Sequence, residues 1–161
     1  MNTHEKYMKH ALGRARTCVK HGETPVGAVI VKDGKIIAGG RNKREFGKNA
    51  LYHAEISAIN AACKKLGGWR LHECDMYVTL EPCPMCAGAI INSRIRNVYF
   101  GAYDQKAGSF GSVINLAELP YNHKPNICGG ILEKECSQIL SDFFKQLRNS
   151  KIKQKSGEES K

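Results

Sequence analysis

Two cysteines, Cys83 and Cys86, flank Pro84-Met85 directly after a strand-like run at residues 76–80. A chain with this pattern must bring a strand end and a helix start to one point. Pro84, with its fixed φ and missing N–H, suits the first position of a helix, so both sulfurs are expected on that helix's opening turn. There the helix dipole favours thiolate over thiol. Upstream stands His53-Ala54-Glu55, at the head of a second predicted helix.

Zinc takes cysteine sulfur and histidine nitrogen readily, and a catalytic zinc keeps three protein ligands with a fourth position open. His53, Cys83 and Cys86 make that set. Their spacing is consistent with two helix N-termini meeting at the C-terminal ends of neighbouring strands, where open α/β sheets place their ligands. A closed structural site needs a fourth ligand. His72, Cys74, Cys63 and Cys128 could supply one, but none has a short, fixed spacing to the cysteine pair. Glu55 favours the catalytic reading, because a carboxylate beside an activated water can take its proton and return it to a substrate. Taken singly, a glutamate in a first helical turn is more often a surface residue that suits the dipole. Positions i and i+2 lie on opposite sides of a regular helix, so His53 and Glu55 can share a site only if the pocket wraps round the helix end.

The remaining pattern fixes the layers. Tyr7, Met8, Ala11, Leu12, Ala15, Cys18 and Val19 recur at helical spacing up to His21-Gly22. Residues 25–31 and 36–38 read as strands joined by Asp33-Gly34, a dipeptide that two-residue hairpin turns prefer. A glycine-rich basic loop at residues 39–50 is a candidate pocket wall. Ile56, Ile59, Cys63 and Leu66 mark a helix ended by Gly67-Gly68. Strands are expected at 76–80, 97–101 and, briefly, 127–131. A final helix at 132–148 carries Cys136, Ile139, Leu140, Phe143, Phe144 and Leu147 on its apolar side. This order predicts an α/β fold, a mixed five-stranded sheet with helices on both faces, in three α/β/α layers. Residues 1–149 are expected to form a single domain and residues 150–161 a disordered basic tail.

No apolar run approaches the ~20 residues of a membrane span, and the first ten residues lack the apolar centre of a secretory signal, so a cytoplasmic protein is expected. Seven cysteines are an odd number, and with the close pair they fit reduced thiols plus a metal better than disulfides. The formal charge of +10 attracts polyanions. Charge alone leaves nucleic-acid binding and a merely solvated basic face open.

His-x-Glu followed by Pro-Cys-x-x-Cys, with a strand between, is the signature of the zinc-dependent nucleobase deaminases. The sequence resembles the bacterial tRNA-specific adenosine deaminases of the cytidine/deoxycytidylate deaminase superfamily from about Tyr7 to Arg148. The matching stretches include Pro25-Val26-Gly27-Ala28-Val29, Asn42, Val78-Thr79-Leu80-Glu81-Pro82-Cys83, Gly101-Ala102 with Asp104, Lys106 and Gly108, Asn122-His123, and Leu140-Ser141-Asp142-Phe143-Phe144 with Arg148. The resemblance implies the cytidine-deaminase-like fold and hydrolytic conversion of adenosine to inosine at the wobble position of the tRNA anticodon, by a homodimer with one zinc per subunit. His53, Cys83 and Cys86 are then the metal ligands and Glu55 the proton carrier. Asn42, Val26 and the Ala54 backbone are expected at the target nucleoside, with Asp104, Lys106, Phe144 and Arg148 at the flanking anticodon nucleotides. Two other readings stay open. One is a small-molecule deaminase acting on guanine, cytosine or cytidine, and the other is a catalytically silent, zinc-containing RNA-binding subunit.

Overall fold

The structure is a computed structural model and describes residues 1–158. Helix α1 (Thr3–Lys20) begins at Asn2, whose side chain accepts from the Glu5 N–H while the Glu5 carboxylate accepts from the Asn2 N–H. Two otherwise orphaned donors are thereby satisfied. Strands β1 (Gly27–Lys32) and β2 (Lys35–Arg41) form the expected hairpin. At its turn, Asp33 and Gly34 have φ of 50° and 72°, the paired left-handed conformation whose twist matches the flanking strands.

Helix α2 (Ala54–Leu66) stops at Gly67, with φ 72°. Strand β3 (Cys74–Leu80) leads into α3 (Pro84–Asn92), and β4 (Asn97–Ala102) follows. A 3-10 turn at Leu116–Glu118, a short β5 (Asn126–Cys128) and α4 (Glu133–Glu158) complete the order. The sheet runs β2-β1-β3-β4-β5. Strand β1 is antiparallel to both neighbours, whereas β3, β4 and β5 are parallel. The mixed five-stranded sheet is therefore the one the sequence predicts.

Alternation along β1 divides the core. Ala28 and Ile30 pack with Ala54, Ala58 and Ala62 of α2 and with Ala87 and Ile90 of α3. Val29 and Val31 face the other way, onto Tyr7, Met8, Ala11 and Leu12 of α1 and Cys136 of α4. Side chains two apart share a sheet face, so one strand feeds both outer layers. No described helix is long and apolar enough to cross a membrane.

Two expectations are corrected. Strand β2 continues through Gly39 and Gly40 to Arg41, where a loop was expected from residue 39. The first turn of α2 approaches so closely that a Cβ on Gly40 would overlap the Ala54 carbonyl oxygen. Glycine at this position serves helix packing within a strand. The last helix also runs beyond the expected residue 148 to Glu158, so residues 150–158, expected to be disordered, are helical and exposed. Lysine and glutamine are good helix formers and extend a helix already nucleated by its packed part. The rest of the expected tail lies outside the described residues. Of the apolar side of α4, Cys136 and Phe143 are buried, while Phe144 and Leu147 are each 41% exposed.

Candidate active site

The site lies where α2 and α3 begin. His53 is the N-cap of α2, with φ −81° and ψ 157°, and Cys83 is the N-cap of α3, with φ −72° and ψ 174°. Both residues are extended, so their side chains turn off the helix axes toward each other. The helix proper starts at Ala54. That is how His53 and Glu55 come to line one pocket despite their spacing of two. Pro84 occupies the start of α3, as expected, and Cys86 is buried in its first turn.

The Nδ1 atom of His53 lies 3.7 Å from the Cys83 sulfur and 3.5 Å from the Cys86 sulfur. All three ligand atoms fall within 4.8 Å of one another. A tetrahedral zinc with bonds of about 2.1 Å to nitrogen and 2.3 Å to sulfur needs N···S separations of roughly 3.6 Å. The cluster fits that ion. One of the two thiols is already favoured as thiolate. Donation from the Cys86 thiol, aided by His53, lowers Cys83 to about 4. The shared proton, burial and the nearby charges of Glu55 and Cys83 push Cys86 far up. His53 is raised chiefly by its hydrogen bond to Cys83.

Glu55 is buried, and burial pushes its carboxyl upward against the opposing pull of its own backbone N–H and of His53. A carboxyl so placed holds or releases a proton more readily near neutrality than a solvated one.

A cavity of about 190 Å³ opens over this cluster, lined by Val26, Asn42, His53, Ala54, Glu55, Cys83 and Asp104 among the expected residues. Thr24, Arg44, Leu80, Glu81 and Ala107 join them. Asn42 is held at its wall. Its side-chain amide donates to the Thr24 carbonyl at 3.2 Å and its oxygen accepts from the Arg44 N–H at 3.1 Å. Lys106 is exposed and lies off the cavity wall; its backbone N–H donates to Asp104 Oδ1 at 3.0 Å. Phe144 and Arg148 are exposed on α4, which packs on the α1 side of the sheet, and they do not line the cavity.

Two residues that the sequence did not single out shape the pocket. Buried Glu81 accepts from the N–H groups of Asp104, Phe110 and Ser112 at 3.2, 3.2 and 3.1 Å, and from the Ser112 hydroxyl. Buried Glu23 accepts from the N–H groups of Glu45 and Phe46 at 3.1 and 2.7 Å. Each carboxylate fixes one loop of the pocket mouth. Glu81 sits inside a matching stretch, but nothing local marks Glu23.

The family model described as MafB19-like deaminase matches residues 2–148. A tRNA-specific adenosine deaminase of Bacillus subtilis (strain 168) is 48% identical over 152 residues, covering 94% of each chain. One from Aquifex aeolicus (strain VF5) is 46% identical over 149 residues, covering 92% of this chain and 98% of its own. The chain belongs to the tRNA-specific adenosine deaminase family. A solved structure from work on A-to-I editing by tRNA:A34 deaminases at the wobble position of transfer RNA is 43% identical, with a TM-score of 0.82 over 84% of this chain and 99% of that one. The structural likeness extends to the three-layer cytidine-deaminase-like fold. In this deaminase the extended caps at His53 and Cys83 bring Nδ1 and the two sulfurs together beside the cavity.

Proposed function

We propose that the protein deaminates adenosine to inosine at the wobble position, 34, of a tRNA anticodon, by hydrolysis and with release of ammonia. The observation that carries the chemistry is the meeting of His53 Nδ1 and the two sulfurs within 4.8 Å, at a cavity that also holds the buried Glu55. Homology to the named tRNA enzymes carries the choice of substrate.

His53, Cys83 and Cys86 would hold one zinc per chain. When bound, zinc supplies Lewis-acid activation of water at neutral pH. Glu55 would carry one proton of the attacking water to the purine ring nitrogen next to the reacting carbon and then the second, from the hydroxyl added to that carbon, to the amine as its C–N bond breaks and ammonia leaves. The upward push of burial on its carboxyl suits it to both directions of transfer. Val26 and Leu80 offer apolar walls to the base, and the Ala54 backbone and Asn42 offer polar contacts to the nucleoside. The cavity's volume of about 190 Å³ accommodates a single nucleobase, so the adenosine must leave its stack to react. An anticodon loop presents it already unstacked.

Asp104, beside the cavity, and Lys106, Phe144 and Arg148, outside it, contact the flanking nucleotides in this reading. The +10 charge supplies position and on-rate more than sequence reading. Residues 1–149 act as one deaminase domain, in the cytoplasm where tRNA is processed. The exposed apolar side chains of Phe46, Leu51 and Tyr52 next to the site favour a homodimer, which mass measurement in solution checks.

Incubation with an unmodified tRNA carrying adenosine at the wobble position, followed by sequencing, is expected to show A-to-G change at that position alone. Parallel reactions contain free adenosine, cytidine and guanine. Turnover of a free base or nucleoside with none on the tRNA would replace this reading with the small-molecule one. Zinc and RNA binding without turnover of any substrate would select the silent subunit.

A further inference from the structure

On the opposite face of the sheet from the reaction centre, a second cleft of about 410 Å³ opens between α1 and β2, lined by His10, Gly13, Arg14, Thr17, Val29, Ile36 and Arg41. Two guanidiniums share this wall with an imidazole and a hydroxyl, and among the described residues no carboxylate lines it. Among the described residues neither arginine makes a salt bridge. Like charges brought together without a counter-ion are unfavourable, the more so when partly removed from water.

The arginines are nonetheless held in place. Arg14 lies flat over β2 because residue 39 is glycine; a Cβ there would fall on the Arg14 Nε and Cζ. Arg41 is partly buried with its side chain beside the Cys18 thiol, and among the described residues its fully buried Nη1 has no hydrogen-bond partner. Its backbone neighbour Asn42 belongs to the catalytic cavity, so the two cavities lie on opposite sides of one strand end.

We propose that this cleft is a phosphate-binding site, in which Arg14 and Arg41 hold the oxyanion and His10 and Thr17 contact it from the rim. Planar guanidinium donors match phosphate oxygens, and a charge-assisted pair of this kind is stronger than a neutral hydrogen bond. The oxyanion offsets the two positive charges that the fold brings together. Two sources carry this chemistry, a free phosphate ion or the backbone of a bound RNA. Only the second rests on the tRNA reading.

The test uses zinc-loaded full-length protein. Inorganic phosphate is titrated by calorimetry and by thermal shift, against chloride at equal ionic strength. The wild type is expected to show a saturable rise in Tm beyond that given by chloride. Arg41→Gln and Arg14→Gln should each weaken phosphate binding by at least about tenfold. Gly39→Ala should do so as well, by displacing the Arg14 guanidinium without removing any charge. Arg14 is exposed, so its variant keeps the test valid if Arg41→Gln does not fold. A second arm measures affinity for a fluorescent anticodon stem-loop. A matching loss there in Arg14→Gln, with phosphate competing against RNA, assigns the site to the nucleic-acid backbone. Phosphate binding that depends on the arginines while RNA affinity stays unchanged assigns it to the free ion. Equal responses to phosphate and chloride, with RNA affinity unaffected by Arg14→Gln or Gly39→Ala, would overturn the proposal. The phosphate arm scores the site even where deamination of tRNA fails.

Discussion

The carboxylate of Glu81 accepts a hydrogen bond at 3.2 Å from the backbone N–H of Asp104, 23 residues further along the chain. Glu81 stands between the end of β3 and Cys83, so this bond ties the strand end beside the His53–Cys83–Cys86 cluster to the loop that walls the cavity. Glu81→Ala leaves the donors of Asp104, Phe110 and Ser112 without their acceptor. A loss of about 3 kcal/mol of stability is expected from the buried donors, with KM for the RNA raised more than kcat is lowered. Denaturant titration with steady-state kinetics checks it, and an unchanged KM would place the loop outside substrate binding.

Glu55→Gln keeps the side chain's shape and removes its proton chemistry. The variant is expected to retain its metal and its circular dichroism spectrum while turnover falls by roughly 10²–10⁴-fold or more. Near-normal turnover would take Glu55 out of the reaction.

Metal analysis should return about one zinc per chain. Removal by a chelator should abolish activity and lower Tm, because Cys83 and Cys86 then keep a buried charge and proton that the ion would compensate. Restoring zinc alone should recover both quantities. A metal-free protein with full activity would contradict the ligand assignment for His53, Cys83 and Cys86.

Burial pushes the Cys136 thiol up to about 12, and burial raises Cys18 and Cys74 as well. Once unfolded, such thiols titrate near pH 8.5. The folded state therefore holds protons that the unfolded state has released, and stability is fully present below that unfolded value. It is lost as pH rises from there toward the folded value. The free energy of unfolding in urea is expected to fall above about pH 9, by up to about 1.4 kcal/mol per pH unit for Cys136. Cys136→Ala should flatten that slope whatever its effect at neutral pH. An identical slope in the variant would assign the alkaline loss to other groups.

The features legible in the sequence are those governed by neighbours within a turn or a strand pair. Asp33-Gly34 specifies a hairpin because both residues tolerate positive φ. Pro84 marks a helix start because it needs no N–H donor. The repeat of Tyr7, Met8, Ala11 and Leu12 marks a buried helix face. The end of α4 was not legible, since the basic run after Ser150 fits either a solvated helix or an open coil, and continuation of the packed helix decides between them. Phe144 illustrates the opposite case. Its place on an apolar repeat cannot separate core from surface, and in the fold Phe143 is buried while Phe144 beside it stays 41% exposed.

The sequence by itself determined the chemistry available: one imidazole, two thiols and a carboxylate at two helix starts, in a chain whose periodicity requires a mixed sheet between helices. Only the tertiary structure decided how those groups meet. It turns His53 and Cys83 out of their helices as extended caps, so that Nδ1 and both sulfurs take zinc-like separations. It also buries Glu23 and Glu81 under backbone donors 22 to 31 residues away, and gathers Arg14 and Arg41 over one strand. The physical reason is range. Dihedral and capping preferences act over three or four residues, whereas desolvation of a carboxylate or a guanidinium depends on which distant segment covers it.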